Sequence, residues 1–395
     1  MRSLDGIKVL DLSRFQACPL CGMLLADMGA EVIRIEPPEG APDRTWGQVG
    51  PDGETLLYKV VARNKKSITL DLKAPEGKEI FKNLVKLSDI VLHNYTPGAP
   101  IAKEINYNKL RELNESIIVA AVSGFGQYGP DAVHPCFDGT AQARSGSVPL
   151  NGFPGDPPIK PGIPYIDVAS GLCATIGVLL SLFHRQKTGA GQEVDVSLFD
   201  TAVFATQSVG TLLLYKIYGE LRNQIGNRGY HSYNGIFKAA DGWVAVATAT
   251  NSIWKRFVGA IGREDMARDS RYTNDMDRFR NADSINQIVD EWAEKHTVDE
   301  IIDLFQIARV PCARLNTVDK LLADPQVKAR EMVQFMNYPE LGEVPVPGLP
   351  IKLSLTPGSI DTPAPRLGEH NEEIYCGLLG FTTDKFMRLK QHNIV

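Results

Sequence analysis

Apolar runs and helix-forming segments alternate through the first 125 residues of this 395-residue chain, and that alternation restricts its fold more than any other feature. Residues 8–12, 31–35, 67–72, 89–93 and 117–122 read as short buried strands, and residues 192–196 return to the same pattern. Between them, residues 20–28, 75–87 and 107–114 read as helices, with Pro75 suited to a first turn. Such alternation predicts an α/β fold with a mostly parallel, Rossmann-type sheet covered on both faces. Sheets of this kind bind ligands beyond the strand C-termini. The loops after Leu12, Ile35, His93 and Val122 are therefore where function is expected.

The first of these loops lacks the glycine fingerprint that cradles a dinucleotide pyrophosphate, since residues 13–21 contain no glycine. NAD or FAD is not expected as a ligand. The turn Gly124-Phe125-Gly126 has residues that allow close approach of backbone to a ligand, and equally those of an ordinary flexible turn. Asp167 closes the Pro/Gly-punctuated stretch 160–166 and opens a predicted helix over 168–186. It reads as a helix N-cap or as a nucleophile or base. The free N–H groups of a first turn would favour its ionised form.

A length of 395 residues implies two domains. Apolar content of 43% and charged content of 23% are those of a soluble globular protein. No run reaches the ~18 uninterrupted apolar residues of a membrane span, and the chain enters a strand at residue 8, so a cytoplasmic protein without a membrane partner is expected. A net charge of −5 without a basic stripe argues against nucleic acid. It still allows a local basic site for a phosphorylated ligand. Cys18 and Cys21 form the one CxxC among six cysteines; they read as packing residues, and no metal is expected. Residues 197–218 form an apolar helical segment that needs a partner surface. Composition shifts after Gly219 into an α+β region reaching about residue 323, with helices predicted over 252–261, 281–296 and 297–308. The Pro-rich stretch 340–365 is expected to run extended with few ladder bonds.

Several segments, in this order and spacing, resemble the class III CoA-transferases, the CaiB/BaiF family that includes formyl-CoA transferase and the α-methylacyl-CoA racemases. They are residues 4–13, 24–36, 64–73, 94–98, 123–130, 166–171, 187–192 and 226–228. The resemblance implies that Asp167 is the nucleophile, carrying CoA as an aspartyl thioester, with Gln16 and Asp138 as active-site polar groups. It implies that Leu70, Lys73, Asn94 and Tyr95 contact CoA, and it adds a ligand role to Gly124, Phe125 and Gly126. No tightly bound cofactor is implied; a coenzyme A thioester and a free carboxylic acid enter as substrates. The implied architecture is a large Rossmann-like domain begun by residues 1–200, a linker helix over 201–225, a small α+β domain over 226–323, and a return segment over 324–395. Two such chains interlock, as a homodimer or with a related subunit.

Racemases of the family carry a His-Asp pair where this chain has Phe137-Asp138, and phenylalanine cannot shuttle a proton. His134 lies three residues off that register. Transfer of CoA is thus expected over racemisation, with a CoA-binding subunit lacking turnover as a further alternative. Pro37, Ala102 and Pro135 stand where formyl-CoA transferase has basic residues, which shifts the expected phosphate contacts to Arg34, Arg63 or Lys103. The cover loop rich in glycine also has no obvious counterpart. A larger acid than formate or oxalate, aromatic or dicarboxylic, is expected, with succinyl-CoA as donor.

Overall fold

Six strands make one parallel sheet: β1 Lys8–Asp11, β2 Glu31–Glu36, β3 Lys65–Thr69, β4 Ile90–His93, β5 Ile118–Ser123 and β6 Glu193–Ser197. Their order is β3-β2-β1-β4-β5-β6, the doubly wound arrangement in which the strand order reverses between β1 and β4. The computed structural model describes all 395 residues. Because both faces of the sheet are covered, neighbouring residues of one strand enter opposite cores. Val9, Val32 and Ile90 face one layer, where they meet helices α1 (Ala17–Asp27) and a long helix near the middle of the chain. Leu10, Ile33 and Val91 face the other, against α2 (Pro75–Lys86), α3 (Tyr107–Leu113) and the C-terminal helix Thr383–Gln391. Cys18 and Cys21 lie wholly inside the first layer, where burial pushes Cys21 up to about 12.

Two further helices frame the edge beyond β5. Helix α4 covers Asp138–Arg144 and α5 covers Tyr165–Thr188. At 24 residues α5 is long and apolar enough, by length and composition alone, to cross a membrane. It packs here along β5, β6 and α1. Gly171 allows that approach: a Cβ there would stand 2.6 Å from the Ala17 carbonyl oxygen. The segment expected as one helix over 197–218 is two, α6 (Leu198–Gln207) and α7 (Thr211–Tyr218), separated at Gly210 with φ +81°.

The chain divides into two units. The first holds residues 1–147, 161–214 and 326–395, and the second residues 148–160 and 215–325. The second unit is an antiparallel sheet of β7 (Tyr233–Lys238), β8 (Trp243–Thr248) and β9 (Cys312–Arg314), with helices α8 (Asn251–Ala260), α9 (Ala282–Ala293) and α10 (Val298–Ile307) around Trp254, Phe257 and Phe305. Part of the Pro-rich stretch is not merely extended. β10 (Val333–Tyr338) and β11 (Gly342–Pro347) form an antiparallel hairpin that sets Pro345 opposite Phe335. A two-stranded ribbon leaves alternate N–H groups unused, so proline is tolerated there.

Candidate active site

All the loops at the C-terminal edge of the sheet converge on two adjoining cavities. The outer one, about 730 Å³, lies over the loops after β2 and β3 and includes Glu36, Arg44, Leu70, Lys73 and Tyr95. The inner one, about 300 Å³, takes the loops after β1, β4 and β5 and includes Gln16, Asn94, Gly124, Phe137 and Asp167. Arg14 and Tyr95 line both. The junction lies at the β1/β4 reversal, where a doubly wound sheet opens its crevice.

Asp167 is the third residue of α5, within its first turn, and does not cap the helix; the N-cap position is Pro164. The cap is supplied by another helix. Asp138, buried at the first position of α4, accepts hydrogen bonds through Oδ2 from the N–H of Ile166 (2.8 Å) and of Asp167 (3.2 Å). Gln142 Nε2 donates to its other oxygen. Asp138 thereby occupies N–H groups that were expected to favour the Asp167 carboxylate. Burial, and then the Asp138 charge, push Asp167 up to about 7. This reverses the expectation of an acid held in its ionised form, because burial and a like charge outweigh a helix terminus.

Gln16 stands at the N-cap of α1 without capping it, its side chain on the inner cavity. Asn94 is fixed: its amide donates to the Arg14 carbonyl (2.6 Å) and accepts from the Arg14 N–H (3.0 Å), tying the β1 loop to the β4 loop. Leu70 is buried at the floor of the outer cavity and Lys73 is exposed at its rim. Gly124 lines the inner cavity, but its lack of a side chain serves the chain itself, since a Cβ would lie 2.4 Å from Cys136 Cβ. Phe125 and Gly126 stand outside both cavities. Phe125 packs on Phe199 at 5.7 Å, and the Gly126 N–H donates to Ser123 Oγ.

The substitute phosphate contacts expected from sequence fall elsewhere. Arg34 is fully buried between Asp43 (2.8 Å) and Glu36 (3.3 Å). Arg63 is equally buried on Asp27 (2.7 Å). Lys103 is exposed and lines neither cavity. The cation that does reach both cavities is Arg14, which went unnoticed in the sequence. Beside it Phe15 holds φ +69° and sets its ring edge-on to Phe137 (5.8 Å) and Trp46 (5.5 Å).

A family model described as CoA-transferase family III matches residues 4–371. The chain belongs to that family. Succinyl-CoA–D-citramalate CoA-transferase of Chloroflexus aurantiacus is 36% identical over 397 residues, covering 100% of this chain and 98% of the relative. The beta subunit of succinyl-CoA–L-malate CoA-transferase from the same organism is 34% identical, over 99% and 98% of the two chains. A solved CaiB/BaiF family protein from Brucella suis superposes with a TM-score of 0.82 at 31% identity, covering 95% of this chain and 99% of that one. In this family III CoA-transferase the inner cavity holds no histidine. Phe137 lines it in the histidine's place, while His134 is exposed and bonded to Asp131 (3.1 Å).

Proposed function

We propose that the protein moves CoA from succinyl-CoA to a free dicarboxylic acid through a thioester on Asp167. The observation that carries this reading is a carboxyl group raised to about 7 in an inner cavity that joins a second cavity of nucleotide size. Asp167 carboxylate attacks the donor's thioester carbonyl, giving a mixed anhydride and CoA thiolate. The thiolate attacks the aspartyl carbonyl, releasing succinate and leaving aspartyl-CoA. The acceptor carboxylate then attacks that thioester, and the displaced thiolate takes the acceptor acyl group from the second anhydride, restoring Asp167. A carboxylate of higher pKa is a better nucleophile once ionised. Gln16 and the first turn of α1, which begins at Ala17 on the same cavity, supply donors for the oxyanions. The surrounding Phe15, Val122, Phe137 and Leu198 keep water from the anhydride.

The choice of succinyl-CoA and a dicarboxylic acceptor rests on what the two Chloroflexus relatives are named for. The active form is proposed as an interlocked dimer, of two copies or with a related subunit. Leu172, Ile176, Leu180 and Phe183 form an exposed apolar row at helical spacing on α5, and Leu212, Leu213 and Ile217 are exposed on α7. Such rows call for a covering surface. The test supplies succinyl-CoA with a panel of mono- and dicarboxylic acids and follows each new CoA thioester against succinate released. Equal amounts of both, greatest with four- and five-carbon dicarboxylic acids, are expected. Absence of CoA exchange with every acid would overturn the reading.

A further inference from the structure

The glycine-free loop after β1 poses a problem: at the β1/β4 reversal the backbone has no glycines with which to receive a diphosphate. The loop nevertheless makes a turn of the kind glycine usually supplies, with Phe15 at φ +69° in the left-handed region. A non-glycine residue held there is strained, and such strain gathers at functional sites. The turn is pinned by the two Asn94 bonds to Arg14 and by the Phe15 contacts with Trp46 and Phe137. Its result is the placement of Arg14, half-buried on the walls of both cavities.

Three cations line the two cavities: Arg14, Arg44 and Lys73. Arg44 is committed to Glu36 (2.7 Å) and Glu54. Lys73 is exposed at the outer rim. Arg14 alone stands at the junction, and no carboxylate pairs with it. Its guanidinium lies 4.3 Å from the centre of the Tyr95 ring and bonds the Tyr95 side chain, a neutral partner that leaves the charge of its planar fork uncompensated. The outer cavity is otherwise acidic, with Glu39 and Asp71 on its wall, so a diphosphate is favoured only near the junction.

We propose that Arg14 grips the CoA diphosphate, its side chain replacing the glycine-rich backbone cradle that this sheet lacks. This goes beyond the transferase reading while resting on it. CoA would place its nucleoside in the outer cavity and thread pantetheine past Arg14 toward Asp167.

The experiment compares wild type with Arg14→Gln and Arg14→Lys. With succinyl-CoA, Arg14→Gln is expected to lower kcat/KM about 10–100-fold, chiefly through KM, as for a lost charge-assisted contact. Arg14→Lys should recover part of the loss. With succinyl-pantetheine, which has no diphosphate, Arg14→Gln and wild type should match. An equal loss on both thioesters would show that Arg14 acts through Tyr95 and the loop, and overturns the proposal. So does a loss seen with succinyl-CoA but not with butyryl-CoA, which would assign Arg14 to the acyl carboxylate. Binding of free CoA, measured calorimetrically without turnover, separates the two readings. Weaker CoA binding by Arg14→Gln supports the proposal even if no acid accepts CoA, whereas unchanged binding overturns it while leaving the transferase reading intact.

Discussion

Two groups of carboxylates flank the same crevice and behave in opposite ways. Under the outer cavity, Glu36 meets the guanidinium groups of Arg34 and Arg44 and Asp43 that of Arg34, and Ser67 Oγ also donates to Glu36. Burial there opposes the charge on Glu36, but its arginines prevail and bring it down to about 2. At the inner cavity, Asp138 and Asp167 have no cation between them, and Asp167 rises to about 7. Glu36 is the more deeply buried of the two, yet it is the structural anion, and half-buried Asp167 is the poised acid. What separates them is the partner, not the burial. A perturbed acid without a counter-ion is the less economical arrangement for stability, and such groups gather where chemistry is done.

The largest predicted difference between the two groups is in activity. Asp167→Ala should reduce CoA transfer by more than about a thousandfold in an acid-dependent exchange assay, because the proposed nucleophile is gone. Next is a stability effect confined to the other cluster. Arg44→Ala should destabilise the fold by about 3 kcal/mol in urea unfolding, since Glu36 loses both Arg44 hydrogen bonds and keeps only the longer contact to Arg34. That loss is a high-pH effect. Glu36 is depressed below its usual range, so its stabilisation is present above about pH 4.5 and is lost as pH falls through about 2.

The Asp167 contribution carries the opposite sign. Its raised folded pKa means that stability falls as pH rises from about 4 to about 7, and the penalty is complete above that window. Asp167→Asn should therefore stabilise the protein at pH 8 by about 2 kcal/mol, allowing for partial solvent screening, and leave it unchanged at pH 3. The same titration should appear in kinetics as a kcat limb rising with pH through about 7. The smallest effect sharpens the contrast further. Asp138→Asn keeps an oxygen for the Ile166 and Asp167 N–H groups but removes the like charge, so the kcat limb should move to lower pH. Asp138→Ala also loses the cap, and should lower kcat about tenfold through misplacement of Asp167.

The inner strands were legible because they are buried on both faces and read as apolar runs, as in residues 117–122. β3 was placed two residues late for a related reason. Lys65 and Lys66 read as loop, yet Lys65 is buried by an ion pair with Asp11 (2.7 Å) and begins the strand. The placement of Asp167 at the start of a helix after a Pro/Gly-punctuated loop, and of Gln16 on the loop after β1, was legible in the sequence. The functional weight of the Asp138–Asp167 contact was not, because it joins residues 29 positions apart through backbone N–H groups that leave no mark on composition. Arg34 and Arg63 misled for the converse reason. A guanidinium in sequence carries no sign of the carboxylate that already holds it, and both proved internal. Arg14 escaped notice since one arginine beside a loop glutamine is unremarkable until the Asn94 bonds and the turn at Phe15 set it between two cavities.

In the proposed reaction Asp167, and no other group, carries the CoA between donor and acceptor. Incubation with succinyl-CoA alone, followed by hydroxylamine and peptide mass analysis, tests it directly. A hydroxamate on Asp167 is predicted, formed only when the CoA thioester is present. Continued CoA transfer with an unmodified Asp167, or with the adduct on another residue such as Cys136, would contradict the account.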